Sequence, residues 1–185
     1  MSGHSKWAQI KHKKGVTDQK RGQLFSKLLN VVAVAARDNP DPEFNPRLRA
    51  AMEKARAANV PGENIERAIK KSAEAKNLDE VTIEAYGPGG TAMIIIGITD
   101  NKNRTIAEVK NILSEAGAKM ADPGSVLWSF DPPAPTVPSG PAGGGEWQPK
   151  FKQPATEETK QKIAALTERL EEREDVEKVV TNLQL

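Results

Sequence analysis

Few side chains in this sequence could perform acid–base or metal chemistry. The chain of 185 residues has no cysteine, and its two histidines, His4 and His12, lie among lysines near its start. A catalytic histidine must be held beside a nucleophile, and a protein zinc site needs more ligands than two histidines provide. We therefore predict a protein that is not an enzyme, with no catalytic residue, no metal and no cofactor. No motif for a small-molecule substrate is evident.

The same stretch has the composition of a surface for a polyanion. Residues 1–27 hold seven Lys or Arg and one Asp, residues 28–80 are balanced, and residues 81–185 carry a net charge of −4. Lysines neutralise phosphates, and a Trp stacks on an unpaired base of any type. Two alternatives stay open: a solvated tail, or an arm that Trp7 anchors to its own helices. We predict a nucleic-acid-binding arm that continues into the first helix, made of His4, Lys6, Trp7, Lys11, His12, Lys13, Lys14, Lys20 and Arg21.

A second candidate contact is the stretch DNKNRT (100–105), where a predicted strand ends and a helix begins. Asp100 or Asn103 can cap that helix, which is the structural interpretation. Backbone N–H groups at a helix start also attract phosphate, and basic side chains stand beside them. Both interpretations stay open. The predicted second contact consists of Arg47, Arg49, Asn101, Lys102 and Arg104.

Two further motifs have structural interpretations. GPGG (87–90) lacks the Lys-Ser/Thr of a phosphate-binding loop and does not lead into a helix, so we predict a hairpin turn. Four acids near the end of the chain are predicted to form the solvated end of a helix rather than a metal site. They are Glu171, Glu172, Glu174 and Asp175.

The elements that position these residues follow from the apolar pattern. A helix is predicted from Thr17 or Asp18 to about Arg37, and two more over 47–59 and 65–75. Asn45-Pro46 is a helix-start signal, with a capping side chain and a proline in the first helical position. Three short helices of this kind are expected to pack as a small bundle.

The second half of the chain alternates between strand and helix patterns. Predicted strands cover 81–87, 91–100, 125–130, 147–152 and 176–183, and predicted helices cover 103–117 and 156–173. This order favours a ferredoxin-like split βαβ sandwich, with a mostly antiparallel sheet and two helices on one face. The predicted class is therefore α+β. We assign 1–78 to a helical domain and 79–130 with 147–185 to the α/β domain, with 131–146 as a Pro/Gly-rich linker.

The sequence also suggests where the protein works. It has no apolar run long enough to span a membrane and no apolar core of a secretory signal. The absence of cysteine is compatible with a reducing compartment. We predict a cytoplasmic protein that is a monomer, or a mitochondrial matrix protein if a targeting peptide is missing.

Several stretches in a fixed order resemble the YebC family. They are GHSKWAQIKHKKGVTDQKRGQLFSKL, NPRLRAAMEKARAANVP, YGPGGTAMIII and TDNKNRTIAEVK, so the likeness covers residues 2–130, and it resumes in LEEREDVEKVVTNL. The resemblance implies an N-terminal helical domain followed by two α/β domains, the third inserted within the second. Because only the Pro/Gly linker stands at that place, we expect a shortened member with two domains.

The resemblance implies two kinds of function. Family members are known as DNA-binding transcriptional regulators and as ribosome-associated translation factors that assist difficult stretches such as consecutive prolines. The sequence shows no helix-turn-helix signature, and a basic arm with one Trp suits an irregular, backbone-rich surface. We therefore expect the arm to contact ribosomal RNA, near the peptidyl-transferase centre as the family implies. A DNA-binding transcriptional regulator is the alternative.

Overall fold

The computed structural model describes residues 3–72, 77–132 and 147–184, with side chains described from residue 18 onward. Its first half consists of helices α1 (Gly3–Ala36), α2 (Pro46–Ala57) and α3 (Gly62–Lys70). Their apolar faces form one core, as the predicted bundle requires. Its buried members from the helices include Leu28, Val31, Val32, Leu48, Met52 and Ile65.

Helix α1 begins much earlier than predicted. Its backbone is helical from Gly3, so Thr17 and Asp18 lie inside the helix and neither is its cap. Residues 4–14 contain no proline and include four lysines, which are good helix formers. Gly15 lowers helix stability by about 1 kcal/mol, which is not enough to end the helix. The basic arm is therefore part of a 34-residue helix.

The start of α2 confirms the predicted cap. The side chain of Asn45 accepts a hydrogen bond from the N–H of Leu48 at 2.9 Å, and Pro46 occupies the first helical position. Helix α3 is shorter than the predicted 65–75 and begins at Gly62. Residues 73–76, the end of that predicted helix, lie outside the described residues.

The second half contains the strands β1 (Asp79–Tyr86) and β2 (Ala92–Thr99), then α4 (Lys102–Glu115) and β3 (Lys119–Met120). It continues with β4 (Phe130–Asp131), β5 (Gln148–Pro149), α5 (Glu157–Glu171) and β6 (Val176–Thr181). Strands β1 and β2 form the predicted hairpin, joined by the 3-10 turn Pro88–Gly90 with Gly89 at φ 71°.

The α+β class is confirmed, with a four-stranded antiparallel sheet in the order β3-β1-β2-β6. Strands β2 and β3 each run antiparallel to β1, which lies between them. They are therefore parallel to each other across one strand, and α4 connects them, which is the predicted split βαβ arrangement. The predicted domain bounds stay a prediction, because residues of the helical half also contact residues of the α/β half, as Ile98 of β2 does in the helical core.

One predicted strand, 125–130, is wrong. Leu127–Ser129 form a 3-10 turn, because the buried carboxylate of Glu84 accepts hydrogen bonds from the N–H groups of Val126 and Leu127. Only β4 follows, and it pairs with β5 in a separate two-stranded ribbon. The third strand of the main sheet is instead β3, which sequence reasoning missed. Linker residues 133–146 lie outside the described residues.

Strand β2 is buried along its whole length because both faces of the sheet are covered. On one face Met93 and Ile95 pack with α4 and α5, so the two helices share a face as predicted. On the other face Ile94 packs with Val126 and Phe130. This second layer explains why the strand reads as continuously apolar rather than alternating.

Candidate nucleic-acid interface

The predicted binding residues of the arm lie in the first part of α1. In a helix, positions seven apart fall on nearly the same side. Positions 6, 13, 20 and 27 of α1 are all lysine, so they form one row, with Lys14 and Arg21 in the next row. Of this surface, the residues from Asp18 to Gly22 are described and exposed, and continuous burial in the bundle begins only beyond Leu28.

Arg21 is available for contact with a ligand. It is exposed, and its guanidinium carbon lies 5.1 Å from the centre of the Phe25 ring, in a cation–π contact. Among the described residues it has no carboxylate partner. The ring steadies the side chain while its charge remains accessible to solvent.

Lys20 and Lys27, the two described lysines of the other row, meet the end of α5. The Nζ of Lys20 lies 3.4 Å from Glu172 and 3.8 Å from Glu168. Lys27 donates a hydrogen bond to the carbonyl of Glu171. Burial lowers the pKa of Lys27, an effect that nearby acids, Glu177 first, partly oppose. The acidic end of α5 therefore faces the basic helix, in addition to the solvent exposure that we predicted.

The two predicted arginines of α2 differ in their surroundings. Arg47 pairs with Glu80 of β1, and its side chain is 18% exposed. Its Nε is buried and has no hydrogen-bond partner. Arg49 is exposed. Arg47 thus connects the helical half to the sheet, and only Arg49 presents an accessible charge.

The start of α4 is a capped helix end surrounded by acids. The side chain of Asn101 accepts the N–H of Arg104 at 3.1 Å, so Asn101, not Asp100 or Asn103, is the cap. The guanidinium of Arg104 donates to Asp100 at 2.7 Å and to Asp175 at 3.0 Å. The hydrogen bond to Asp175 is the main cause of a raised pKa for Arg104.

Lys102 is also close to an acid, with its Nζ 3.6 Å from Asp79. The two basic side chains of this turn are therefore near carboxylates of the protein itself. The structure supports the capping role of the turn, and the additional anion contact stays a prediction.

Grooves separate α1 from the α/β half. One of them, of about 790 Å³, has an apolar floor that includes Leu24, Leu28, Ile163 and Val179. Gln23 borders this groove and two smaller ones of about 520 and 480 Å³. Lys20 borders the groove of about 790 Å³ and Arg104 borders an adjoining one, so α1 and the start of α4 lie on the same side of the junction.

Sequence reasoning missed a helix pair with the connection length of a helix-turn-helix. Residues 58–61 join α2 to α3, and Asn59 adopts a left-handed conformation at φ 62°. Such a short turn is typical of that motif. The exposed side chains of α3, however, include Glu63, Glu66, Arg67 and Lys70. This mixture gives α3 no net positive charge for the DNA backbone.

Within the described residues no group of three or more His, Asp or Glu side chains is placed to hold a metal ion. None of the helices in the same residues is long and apolar enough to cross a membrane.

Comparison with known proteins identifies the class. Two family models match the chain, the TACO1/YebC protein N-terminal domain over residues 5–75 and the TACO1/YebC second and third domain over residues 78–134. A crystal structure of a conserved hypothetical protein from Aquifex aeolicus has a TM-score of 0.77 and 34% identity, covering 90% of this chain and 91% of that one. The chain belongs to the TACO1/YebC family, which confirms the resemblance in the sequence.

The curated relatives carry a regulatory name. A protein of Petrotoga mobilis named "probable transcriptional regulatory protein" is 54% identical over 135 residues, which is 71% of this chain and 54% of the relative. A protein of Aquifex aeolicus with the same name is 51% identical over 135 residues, with the same shares. The chain thus spans about half the length of the curated relatives that it matches.

Proposed function

We propose that this protein is a nucleic-acid-binding regulator that contacts duplex DNA through the basic part of α1. The observation that carries this proposal is the continuity of α1, which makes the basic stretch a helix rather than an irregular arm. An α-helix fits the major groove of B-DNA, and basic regions that are single continuous helices are an established way to enter it. The regulatory name of the curated relatives supports the same choice.

The proposed contact consists mainly of phosphate interactions. Lysines along one side of a helix follow the DNA backbone and carry no sequence information by themselves. The contributing residues are His4, Lys6, Trp7, Lys11, His12, Lys13, Lys14, Lys20 and Arg21, with Arg49 as a secondary contact. Arg47, Lys102 and Arg104 are left out of it because acids offset their charges and because, unlike Lys20, which also faces acids, they do not lie on the basic row of α1.

A charge-reversal experiment tests this proposal. The triple variant Lys11→Glu, Lys13→Glu, Lys14→Glu is compared with Lys70→Glu, Lys71→Glu, Lys110→Glu, which makes the same charge change at exposed positions elsewhere. Fluorescence anisotropy with a labelled 30-base-pair duplex at low salt measures the affinity. We expect the α1 variant to lose about 100-fold or more and the control about 3-fold or less. Equal losses in the two variants would overturn the proposal.

The ribosome-associated role, which the family resemblance predicts, would use the same basic surface. The two roles differ in what survives competition. A transcriptional regulator protects a specific duplex site in the presence of competitor RNA at physiological salt. The affinity of binding by phosphate contacts alone falls steeply as the salt concentration rises. If footprinting shows no such site and the protein co-sediments with ribosomes through α1, the translation role is favoured instead.

A further inference from the structure

Two exposed aromatic side chains lie on the neighbouring chain segments that form the β4–β5 ribbon. Trp128 and Phe151 are each 64% exposed. The N–H of Lys150 donates to the carbonyl of Ser129 at 2.9 Å, and these two residues immediately adjoin Phe151 and Trp128. The aromatic residues therefore emerge from two chain segments that this hydrogen bond joins. Exposing large rings in this way offers no benefit to folding.

The indole of Trp128 is held in position. Its Nε1 donates to the carbonyl of Ser125 at 2.8 Å, so its polar atom is satisfied within the protein while the ring meets water. The turn that carries it is tied to the sheet by Glu84, which is 5% exposed and accepts the N–H groups of Val126 and Leu127 at 2.6 and 2.8 Å. A ring positioned in advance loses little entropy when a ligand stacks on it.

Exposed lysines lie on the same and adjoining segments as the two rings. Lys150 and Lys152 flank Phe151 in the sequence, and both are exposed. The hydroxyl of Tyr86 donates to the same carbonyl of Ser125 at 3.0 Å, and the Nζ of Lys119 lies 5.9 Å from the centre of the Tyr86 ring. Three lysines from two chain segments, Lys119 and the pair Lys150 and Lys152, thus belong to this surface.

The acids of these segments only partly offset the lysines. Asp131 lies 3.8 Å from Lys150, and Asp122 begins the turn that leads to Ser125. The surface therefore combines two exposed rings, of which Trp128 is held in place, with three exposed lysines against two exposed acids, a net of one positive charge. This combination is the usual one for single-stranded nucleic acid, because bases stack on the rings and lysines neutralise the phosphates.

We propose that Trp128 and Phe151, with Lys119, Lys150 and Lys152, form a second nucleic-acid site that binds single strands by base stacking. The inference rests on the proposed function in one respect, that the protein's ligand is a nucleic acid. It adds single-stranded nucleic acid as a second class of ligand. An intact duplex does not suit this site, because the faces of its paired bases are stacked on each other and are not accessible to a protein ring. Duplex binding by α1 and single-strand binding by the ribbon are then separable.

The test measures single-strand and duplex affinity for the full chain and its variants. The probes are a dT12 oligonucleotide, a U12 oligonucleotide and a blunt 12-base-pair duplex, each carrying a fluorescent label. Fluorescence anisotropy measures the binding of each probe. We expect the double variant Trp128→Ala, Phe151→Ala to lose about 5- to 150-fold in single-strand affinity per stacked base, with duplex affinity unchanged. Trp128→Phe should retain most of the single-strand affinity because it keeps a ring.

The control is Phe44→Ala, which removes a ring that is 75% exposed in the helical half. It should leave single-strand binding unchanged. Circular dichroism of each variant verifies that the fold is intact. If the wild-type protein binds neither oligonucleotide, or if the double variant binds them as tightly as the wild type, the ribbon proposal is wrong.

The outcomes also separate the two proposals. If charge reversal in α1 abolishes duplex binding while the ribbon variant leaves single-strand binding intact, only the ribbon proposal fails. If the ribbon variant weakens single-strand binding while α1 charge reversal leaves duplex binding intact, only the proposed function fails. If sedimentation velocity shows that the rings instead mediate self-association, and single strands do not compete with it, the ribbon is a protein interface and the proposal is overturned.

Discussion

The ammonium group of Lys20 in α1 lies 3.4 Å from a carboxylate oxygen of Glu172, the capping residue that follows α5. Both side chains are more than half exposed, so the pair contributes little to stability. The pair instead affects the binding of nucleic acid. A polyanion that contacts Lys20 must compete with an acid of the protein itself.

Removing the acids that face Lys20 should strengthen nucleic-acid binding. We expect Glu168→Gln, Glu172→Gln to raise the affinity for duplex DNA by about 3- to 10-fold at low salt, because Lys20 loses its internal partners. The gain should disappear near 0.5 M salt, where screening suppresses exposed charges. Anisotropy titrations at several salt concentrations measure both effects.

The same helix provides a matched control for that variant. Glu157 and Glu158 lie at the start of α5 and pair with Lys160 and Lys162 of α5 itself. Glu157→Gln, Glu158→Gln makes an identical change in net charge far from Lys20 along α5. A gain in affinity equal to that of the first variant would show that net charge alone is responsible and would contradict the specific role of the Lys20 pair.

The buried cap of α2 should contribute more to the free energy of unfolding than the exposed cap of α4. Asn45 accepts from Leu48 and its Nδ2 donates to the carbonyls of Ala35 and Asn39 at 2.7 and 2.6 Å. Asn45→Ala therefore loses a cap and leaves two carbonyls without this donor, and we expect a loss of about 2–4 kcal/mol in the free energy of unfolding. Asn101→Ala should lose about 1 kcal/mol. Urea denaturation compares the two, and equal losses would refute the ranking.

Two glycine substitutions should change stability in opposite directions. A Cβ on Gly97 would lie 2.2 Å from the carbonyl oxygen of Asp175, where the ladder between β2 and β6 shifts register. Gly97→Ala should therefore destabilise the protein by about 2 kcal/mol or more. A Cβ on Gly22 in α1 meets nothing within 4 Å, so Gly22→Ala should stabilise by about 0.5–1 kcal/mol. Thermal and urea unfolding test the signs, and a stable Gly97→Ala protein would contradict the close approach.

Lys27 should make the free energy of unfolding depend on pH in the alkaline range. Burial lowers its pKa in the folded protein below the ordinary value of 10.5. As the pH rises toward 10.5, the folded state loses this proton before the unfolded chain does, so the unfolded state binds more protons and stability increases with pH. We therefore expect the wild type to gain stability relative to Lys27→Met over this range. Urea denaturation at a series of pH values measures the difference, and a difference that stays flat or falls would contradict the expectation.

Local signals in the sequence predicted most of the elements. Asn45-Pro46 marked the start of α2, and GPGG marked the β1–β2 hairpin, because capping and tight turns depend on a few adjacent residues. The same kind of signal failed for α1, where Thr17 and Asp18 have capping side chains but lie in a segment that remains helical. A capping residue favours a helix start only where the preceding residues disfavour helix.

The strand predicted at 125–130 failed for a different reason. Its apolar pattern fits a strand, and the residue that redirects the backbone, Glu84, lies about forty positions earlier on β1. A buried carboxylate is stabilised where several N–H groups converge on it, and that requirement decided the turn. No local pattern in the sequence contains this information.

The sequence by itself determined the α+β class, the family and the concentration of positive charge in residues 1–27, because these follow from composition, periodicity and ordered motifs. Only the tertiary structure decided which of those charges face acids of the protein, as Lys20 faces Glu172, and which remain accessible, as Arg21 does. It also decided that Trp128 and Phe151 lie on chain segments that a backbone hydrogen bond joins. Contacts between residues far apart in the chain depend on how the helices and the sheet pack against each other. The local spacing of residues in the sequence does not specify that packing.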